Sequence, residues 1–335
     1  MKPKILYTNK FITSPRFNDI SVLRVIAMLL VVFYHCLCPY SIWDNTEYFI
    51  GFHVKAWDVV DGMLAQVHLP IFFIISGYLY GYKRNVGGYS VTSKFVIDKM
   101  VRVLSPYVIV GLFLCLIQQR NMEQMLYGIS HLWFLLVIFE CYLLGRAMER
   151  ILWIKNSRKV LLMGLAVLFL IVLSYRIPEI KPLAISRLMR YYPYYMIGML
   201  VTKVDFSLFA KYKKVIVASL LFVVVLFLLQ QTMLKRMVVT STLGVATVGL
   251  AFCLARCSHI VRLPSWITSL DKCSMGIYIV HHILIQEMNE LYVFHELACE
   301  YYYIYPMAQF VLITLISWGF VSVCRHVKCS KYVLG

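Results

Sequence analysis

Two residues that could do chemistry, Arg24 and His35, lie within one apolar stretch, which reads SVLRVIAMLLVVFYHCLCPY. In a helix, the eleven-residue step between them returns both side chains to within roughly 20° of one face, about 16 Å apart along it. Ionisable residues inside a bilayer are costly and usually face a protein interior or a wet cavity. A histidine adds a base that exchanges protons near neutral pH. The pair could therefore mark a reaction site, although a snorkelling arginine and a histidine with one interhelical hydrogen bond explain it equally well.

The composition indicates that most of the chain lies in a bilayer. Hydrophobic residues make up 61% of the sequence, charged residues make up 15%, and the mean hydropathy is +0.75, far above soluble norms. We expect an all-α, polytopic membrane helix bundle with about ten transmembrane helices, forming one domain over residues 1–335 with no separate soluble domain. The predicted segments are residues 20–39, 58–80, 101–118, 132–148, 159–175, 189–201, 215–231, 238–255, 274–292 and 305–324. The first is expected to be a retained helix, because no small-residue cleavage site accompanies it.

The net charge of +17 would suit a nucleic-acid-binding protein, but its distribution favours a membrane protein. If the N-terminus is cytoplasmic, the cytoplasmic tails and loops carry 24 Lys and Arg, and the opposite side carries 8. This threefold excess is the positive-inside pattern, which predicts that both termini face the cytoplasm. One external loop departs from it, because residues 176–190 carry four basic side chains. These could contact an anionic substrate or lipid, or have no task, since the sum of charges sets the orientation.

Motifs of soluble enzymes and of metal sites are missing from the sequence. None of its ten cysteines forms the CxxC spacing of a zinc site, so we expect small buried hydrophobic residues and no metal. The GxGxxG, P-loop and HExxH patterns are also absent. Their absence argues against soluble nucleotide-binding proteins and zinc proteases.

The second segment places further polar residues at membrane depth. It contains His68 at the start of the run HLPIFFIISGYLYG. Pro70 is expected to break the helical hydrogen-bond ladder, and Ser76 with Gly77 to let two backbones approach closely. Such a kink followed by small residues could open room for a ligand, or it could be ordinary helix packing, which is the commoner case.

Segment four contributes an aromatic residue and an acidic residue. Trp133 and Glu140 are seven residues apart and so lie on one helix face. A buried Glu140 needs a cationic or hydrogen-bonding partner, for which Arg24 is the simplest candidate. The pairing of Glu140 with Arg24 is therefore our prediction.

Segment nine contributes a polar stripe. Ser274, Tyr278 and His281 follow one another at spacings of four and three, so they share a helix face that could line a cavity. The adjacent His282 is expected to point elsewhere. Each polar residue at membrane depth is, taken alone, more often structural than catalytic, but their accumulation in one small protein favours a site.

A basic cluster lies at the predicted inner mouth of segment three. Lys94, Lys99 and Arg102 precede Pro106. Lys99 and Arg102 are three residues apart on a helix, so they can approach the same anion. Such side chains could bind the phosphates of a cytosolic cofactor, although the positive-inside rule explains the sign of the charge equally well.

Over nearly its whole length, the chain resembles the integral-membrane acyltransferase-3 family, which modifies bacterial cell-surface polysaccharides and related glycans. Six motifs in the family's order, within about ten helices, carry the resemblance. They are Arg-x10-His at Arg24 and His35, HLPIFFIISGYLYG from residue 68, the basic segment ending at Pro106-Tyr107, HLWFL at 131–135, YYPYYMIGML at 191–200 and CSMGIYIVHH at 273–282.

The resemblance implies an O-acyltransferase, most often an O-acetyltransferase. It would use acetyl-CoA or another acyl-CoA from the cytoplasm and a glycan hydroxyl on the outer face. His35 would be the general base or a transient acyl acceptor, and Arg24 would orient it or stabilise oxyanion charge. Arg102 and Lys99 would hold CoA phosphates, although many relatives have a second arginine where this chain has Lys99.

The remaining candidate residues are expected to contact substrate or to support the site. They are His68, Ser76, Trp133, Glu140, Tyr278 and His281. For the developing oxyanion, Arg24, Ser76 or Tyr278 could supply the hydrogen-bond donor.

We expect a multi-pass protein of the bacterial cytoplasmic membrane. Its predicted partners are a polysaccharide or glycan acceptor, membrane lipids and the polysaccharide biosynthesis machinery, with no nucleic acid. Larger relatives carry an extracytoplasmic esterase-like domain that we do not expect here, so transfer would be completed within the bundle or with a partner. The alternatives are a transporter or exporter of polysaccharide or a small solute, in which buried ionisable residues line a path, and a non-catalytic scaffold.

Overall fold

The computed structural model describes residues 17–41, 53–149, 180–202, 204–233, 237–258 and 260–335, and these form helices and turns without any strand. The helices are α1 (Asn18–Leu37), α2 (Lys55–Ala65), α3 (His68–Asn85), α4 (Thr92–Lys99), α5 (Ser105–Ile117), α6 (Gln124–Tyr127), α7 (Trp133–Ala147), α8 (Ile185–Val201), α9 (Lys213–Met233), α10 (Met237–Cys257), α11 (Ser265–Glu290), α12 (Tyr292–Glu300), α13 (Tyr305–Cys324) and α14 (Ser330–Val333). A π-helical turn, Met100–Leu104, joins α4 to α5. Short 3-10 turns occupy Cys38–Tyr40, Ser130–Leu132, Pro182–Ala184 and Phe206–Tyr212. The predicted all-α class is confirmed.

Within the described residues, seven helical runs are long and apolar enough to cross a membrane. They are Asn18–Tyr40, Lys55–Asn85, Thr92–Ile117, Ser130–Ala147, Phe206–Leu229, Val239–Cys257 and Tyr305–Cys324. The predicted segment at 159–175 lies outside the described residues. The sixth and ninth predicted segments fall in α8, which has 17 residues, and α11, which has 26 residues and many polar side chains. The chain is therefore a multi-pass membrane protein, and the count of ten spans and the orientation of the termini stay predictions.

Helix α1 lies against α11, and the two run parallel. Arg24 contacts Asp271 and, further along both helices, His35 contacts His281. Because the contacts follow the same order in both helices, the chain runs the same way through each. Parallel packing brings polar residues of both helices together at two depths, about 16 Å apart along α1.

A break separates α2 from α3 at Gln66 and Val67. Pro70 has no N–H for the carbonyl of Gln66 and its ring would clash with that carbonyl, so a single continuous helix is unfavourable here. The new helix starts at His68 and holds Pro70 in its first turn, where the missing N–H costs nothing. The prediction that Pro70 breaks the ladder is thus confirmed, with the break four residues before the proline. The His68 imidazole Nδ1 hydrogen-bonds to the Leu64 carbonyl across it.

Helices α3 and α8 cross in direct backbone contact. A Cβ atom at Gly77 would lie 1.9 Å from the Tyr195 carbonyl oxygen, and one at Gly198 would lie 2.2 Å from the Ile74 carbonyl oxygen. No side chain fits at either position without moving a backbone. The predicted close approach at Gly77 is confirmed, and it fixes α3 within the main apolar core, which α1, α7 and α8 also build.

Candidate active site

Five histidines from separate parts of the sequence meet in one cluster. Their rings come from the end of α1, the start of α3, the turn before α7 and the middle of α11. They are His35, His68, His131, His281 and His282. The cluster lies beside the C-terminal end of α1, which the predicted topology places in the outer half of the membrane.

A hydrogen bond joins His35 to His281. The Nδ1 atom of His35 is 3.0 Å from Nε2 of His281 and also 3.0 Å from the Val31 carbonyl oxygen. A carbonyl only accepts, so Nδ1 of His35 carries the proton. His281 in turn donates from Nδ1 to the Ile277 carbonyl at 3.0 Å, which leaves its Nε2 as the acceptor. This arrangement fixes the tautomer of a neutral His35 and leaves the lone pair on its Nε2 atom.

The two histidines also differ in how far they are exposed. His281 is completely buried, whereas His35 is only half-buried. His35 thus keeps some accessible surface, and His281 behind it is enclosed. A base supported by a hydrogen-bonded second group is the usual arrangement for proton transfer.

His282 belongs to this cluster, so the prediction that it points elsewhere is wrong. Its ring centroid lies 4.7 Å from that of His35 and 4.5 Å from that of His131, on which it stacks. Helix α11 passes between α1 and the turn before α7. Because both sides of α11 are therefore covered, the 100° between consecutive residues directs His281 to α1 and His282 to His131.

Two tyrosines complete the aromatic wall of the cluster. The ring of Tyr34 stacks on that of His68 at 4.5 Å. The Tyr278 hydroxyl donates to the His131 backbone carbonyl, and Nε2 of His131 donates to the Ile279 carbonyl at 2.9 Å. Tyr278 and His281, two residues of the predicted stripe on segment nine, thus lie in the cluster, whereas the third, Ser274, donates to the Asp271 carbonyl. The hydroxyl proton of Tyr278 is committed to a carbonyl, so Tyr278 is not a donor for an oxyanion in this arrangement.

Arg24 is paired at the other end of the α1–α11 contact. Its Nη1 atom lies 2.8 Å from Oδ1 of Asp271, and the Ser21 hydroxyl donates to Oδ2 of the same carboxylate at 2.8 Å. The prediction that Glu140 pairs with Arg24 is therefore wrong. Sequence spacing cannot distinguish between acidic residues on different helices, and Asp271 lies directly opposite Arg24 across the parallel contact.

A second pair of opposite charges joins α1 to α10 near the N-terminal end of α1. Asp19 is bound by Arg256 of α10, whose guanidinium also lies 4.9 Å from the centre of the Tyr78 ring.

The side chain of Arg24 is 29% exposed and that of Asp271 is 7% exposed. Arg24 therefore keeps a face toward accessible space while its carboxylate partner is enclosed.

Two predicted supporting residues lie away from the histidine cluster. Ser76 is eight residues beyond His68 on α3, which is about 12 Å along the helix axis. Glu140 is seven residues beyond Trp133 on α7, about 10 Å along its axis, and its buried Oε2 has no hydrogen-bond partner. Neither side chain reaches His35 from these positions.

The basic residues before Pro106 have separate partners. The Lys99 ammonium lies 4.1 Å from the centre of the Tyr142 ring and 5.6 Å from that of Tyr89. Arg102 is exposed and pairs with Asp98 at 3.0 Å. The π turn that starts at Met100 holds more residues per turn than an α-helix, so residues three apart diverge more than the prediction assumed.

A cleft with a volume of about 210 Å³ lies next to the histidine cluster. One wall is the loop from Gln124 to Ser130, and the other runs from Ile180 to Arg187. The guanidinium of Arg187 lies 4.6 Å from the centre of the Trp133 ring. The Ser130 hydroxyl, which lines the cleft, lies 3.4 Å from Nδ1 of His131. The cleft wall thus adjoins the buried His131, whose ring centroid lies 6.4 Å from that of His35.

Sequence reasoning missed several of these residues. His131 belongs to the HLWFL motif but carried no predicted role, and Asp271 was not considered. Arg187 belongs to the basic loop predicted to be external, whose charge was the only signal for it. Contacts between elements that are distant in sequence determine all three roles.

Comparison with protein families places most of the chain in one of them. A family model described as an acyltransferase domain, acyltransferase 3, matches residues 17–325. Neither the curated proteins nor the solved structures gave a match. The matched range includes the histidine cluster, the Arg24–Asp271 pair and the cleft. The chain therefore belongs to the acyltransferase-3 family and is a membrane acyltransferase.

Proposed function

We propose that the protein transfers an acyl group from cytosolic acyl-CoA to a hydroxyl of an extracytoplasmic polysaccharide or glycan. The family resemblance favours acetyl as the acyl group. The observation that carries this proposal is the hydrogen bond from His35 to His281 inside the histidine cluster. It leaves a half-buried imidazole whose Nε2 keeps its lone pair, in a chain that belongs to an acyltransferase family. The family resemblance supports glycans as the acceptor class.

In the proposed reaction, His35 acts as the general base. A sugar hydroxyl is a poor nucleophile, and Nε2 of His35 takes its proton as the oxygen attacks the thioester carbonyl. The new ester bond forms, the carbon–sulfur bond breaks, and the proton passes from His35 to the departing thiolate. The imidazolium that exists between these steps is stabilised by its Nδ1–H bonds to Val31 and His281.

The two substrates are proposed to approach from opposite sides. Arg24 and Lys99 lie toward the predicted cytoplasmic side, and the cleft beside His131 lies toward the predicted outer side. Arg24 is about 16 Å from His35 along α1, so we assign it to the path of the acyl donor and not to direct contact with the base. Its exposed face supports this assignment.

Lys99 and Arg102 are proposed to bind the phosphates of the acyl donor. Lys99 lies among aromatic rings that hold its position, and Arg102 is free to move at the surface because its pairing with Asp98 is solvent-exposed and weak. Lys99 supplies a point charge and not the bidentate contact of an arginine. We place the protein in the bacterial cytoplasmic membrane, where both substrates are available.

The test is acyl transfer by the purified full-length protein. The protein is incubated with acetyl-CoA and polysaccharide from cells that lack it, and the released thiol and the ester on the glycan are measured. We expect His35→Ala to abolish both signals. Equal transfer by His35→Ala and the wild type would eliminate the assignment of His35.

A matched control separates chemistry from folding. His326 is exposed and lies beyond α13, so His326→Ala should leave transfer unchanged. Thermal unfolding of each variant in the same detergent shows whether a loss of activity reflects a loss of folded protein.

A further inference from the structure

The proposed reaction still needs a hydrogen-bond donor for the oxyanion. Three residues were predicted for this role, and none of them is placed to fill it. Arg24 lies about 16 Å from His35 along α1, and Ser76 lies about 12 Å from the start of α3. The Tyr278 hydroxyl donates to a backbone carbonyl instead. The donor is therefore another group beside His35.

His282 has a hydrogen-bonding atom that no contact uses, next to the base. Its Nδ1 atom is buried without a hydrogen-bond partner, and among the described residues it is the only ring nitrogen of the five clustered histidines in that state. Its ring meets that of His35 edge to face, with the centroids 4.7 Å apart. Both side chains keep some accessible surface. A buried polar atom without a partner is rare and can mark a catalytic group.

A chain of hydrogen-bonded side chains reaches the other nitrogen of His282. Nε of Arg120 donates to Oε1 of Gln118 at 2.7 Å, and Nε2 of Gln118 donates to Oε1 of Gln286 at 3.2 Å. Gln286 is 3% exposed, and its side chain lies within hydrogen-bonding reach of the His282 ring. Since Nδ1 of His282 has no partner, the nitrogen that faces Gln286 is Nε2.

The direction of these hydrogen bonds bears on the position of the His282 proton. A guanidinium only donates, so the side-chain oxygen of Gln118 faces Arg120 and its NH2 group faces Gln286. Because the Gln286 oxygen faces Gln118, the NH2 group of Gln286 is left for the imidazole. This orientation favours a neutral His282 in which Nε2 accepts and Nδ1 carries the proton.

We propose that His282 is a second catalytic residue, whose Nδ1–H stabilises the oxyanion, and that Gln286 is the positioning residue that keeps the proton on Nδ1. The inference rests on the proposed function, since it assigns a further group to that reaction. As the acceptor oxygen bonds to the thioester carbon, an electron pair of the carbonyl double bond moves to its oxygen, which accepts the hydrogen bond from His282. When the carbon–sulfur bond breaks, the double bond forms again, and the proton stays on His282 throughout.

The distance between the two rings suits this role. A hydroxyl oxygen in contact with the base lies about 3 Å from Nε2 of His35, and the carbonyl carbon that it attacks lies about 3–3.5 Å further on. The carbonyl oxygen is then within about 6 Å of His35. A donor on a neighbouring ring, with its centroid 4.7 Å from that of His35, is placed within this range.

Steady-state kinetics of the purified full-length protein with acetyl-CoA and a glycan acceptor test the catalytic role. His282→Phe keeps a ring that can stack on His131 but has no donor, so kcat should fall about 10²- to 10³-fold while both KM values change little. His282→Asn places an amide N–H near the position of Nδ1 and should be about tenfold or more faster than His282→Phe. His326→Phe, at an exposed histidine beyond α13, is the matched control and should equal the wild type.

NMR of the protein labelled with nitrogen-15 histidine tests the position of the proton without relying on activity. The His282 signals are those that disappear in His282→Asn, and in the wild type we expect a neutral ring protonated on Nδ1. Gln286→Met fills a similar volume without an NH2 group, so part of the signal should shift to a ring protonated on Nε2, and kcat should fall severalfold. A wild-type ring protonated on Nε2, or a Gln286→Met variant with unchanged signals and kcat, would contradict the assignment.

The kinetic outcomes separate this inference from the proposed function. If the wild type transfers no acyl group to any acceptor, the proposed function fails and the role of His282 fails with it. If the wild type transfers and folded His282→Phe has the same kcat, only the role of His282 is wrong. A His282→Asn variant that is no faster than His282→Phe, with both unfolding at the wild-type temperature, would also overturn it.

Discussion

Replacement of His281 tests how the buried half of the histidine pair supports the base. In the ground state, Nδ1–H of His35 is shared between the Val31 carbonyl and Nε2 of His281, both at 3.0 Å. When His35 takes a proton, the same hydrogen bond becomes charge-assisted. A neutral bond contributes about 0.5–1.5 kcal/mol and one to a charged group about 1.5–3 kcal/mol, so roughly 1–2 kcal/mol of the bond appears only as the reaction proceeds.

The size of the expected effect follows from that difference. About 1.4 kcal/mol corresponds to a factor of ten in rate, so loss of the His281 acceptor should lower kcat about 5- to 30-fold. Activity should not be abolished, because the Val31 carbonyl still holds the proton on Nδ1 and preserves the tautomer. His281→Phe is the informative variant, since it keeps a ring in a fully buried position and removes the acceptor.

The assay is release of thiol from acetyl-CoA at saturating glycan acceptor. We expect the order of kcat to be wild type, then His281→Gln, which retains an acceptor oxygen, then His281→Phe, and finally His35→Ala. His326→Ala serves as the unchanged control. Wild-type kcat in His281→Phe would refute the reasoning, and so would a His281→Phe enzyme that is as inactive as His35→Ala while its unfolding temperature is unchanged.

Three other predictions concern elements around the site. Removal of Asp271 leaves a partly enclosed Arg24 without its carboxylate, so Asp271→Asn should lower the unfolding temperature, and a double-mutant cycle with Arg24→Gln should give a coupling of about 0.5–3 kcal/mol. Gly77→Ala places a methyl group against a backbone carbonyl and should destabilise the fold by about 1–3 kcal/mol or more, whereas Gly249→Ala, with open space around it, should be neutral in thermal unfolding. Lys99→Gln should raise the KM for acyl-CoA severalfold and leave the KM for the glycan unchanged in initial-rate measurements.

Features within a single element could be predicted from the sequence. The 3.6-residue period places Tyr278 and His281 on one face, and both contribute to the cluster. The small residue Gly77 marks the close crossing with α8, and Pro70 marks the break before α3. Each of these follows from local stereochemistry, which does not depend on the rest of the fold.

Contacts between helices could not be predicted in the same way. Glu140 and Asp271 are both acidic residues in predominantly apolar helices, and nothing in their spacing decides which one faces Arg24. Likewise, the position of His282 depends on α11 being covered on two sides, by α1 and by the turn that carries His131. A helical-wheel argument assumes one buried face, and that assumption fails for a helix in the interior of a bundle.

The distance between Arg24 and His35 along α1 shows that sharing one helix face does not bring the two side chains to the same place. The eleven-residue spacing could indicate two groups that act on the same atom, but the rise of about 16 Å places them at two depths. The parallel packing of α1 on α11 gives each its own partner, a carboxylate for the arginine and an imidazole for the histidine. The Asp271 carboxylate balances the positive charge of Arg24. The pair therefore attracts an anion only weakly, which suits a position that a long anionic acyl donor passes and does not suit a tight anion-binding site. A neutral imidazole next to His35 accepts from its Nδ1–H and leaves the lone pair of Nε2 ready to take a proton. The pattern of partners thus favours a conduit at Arg24 and chemistry at His35, and it explains why one helix carries both.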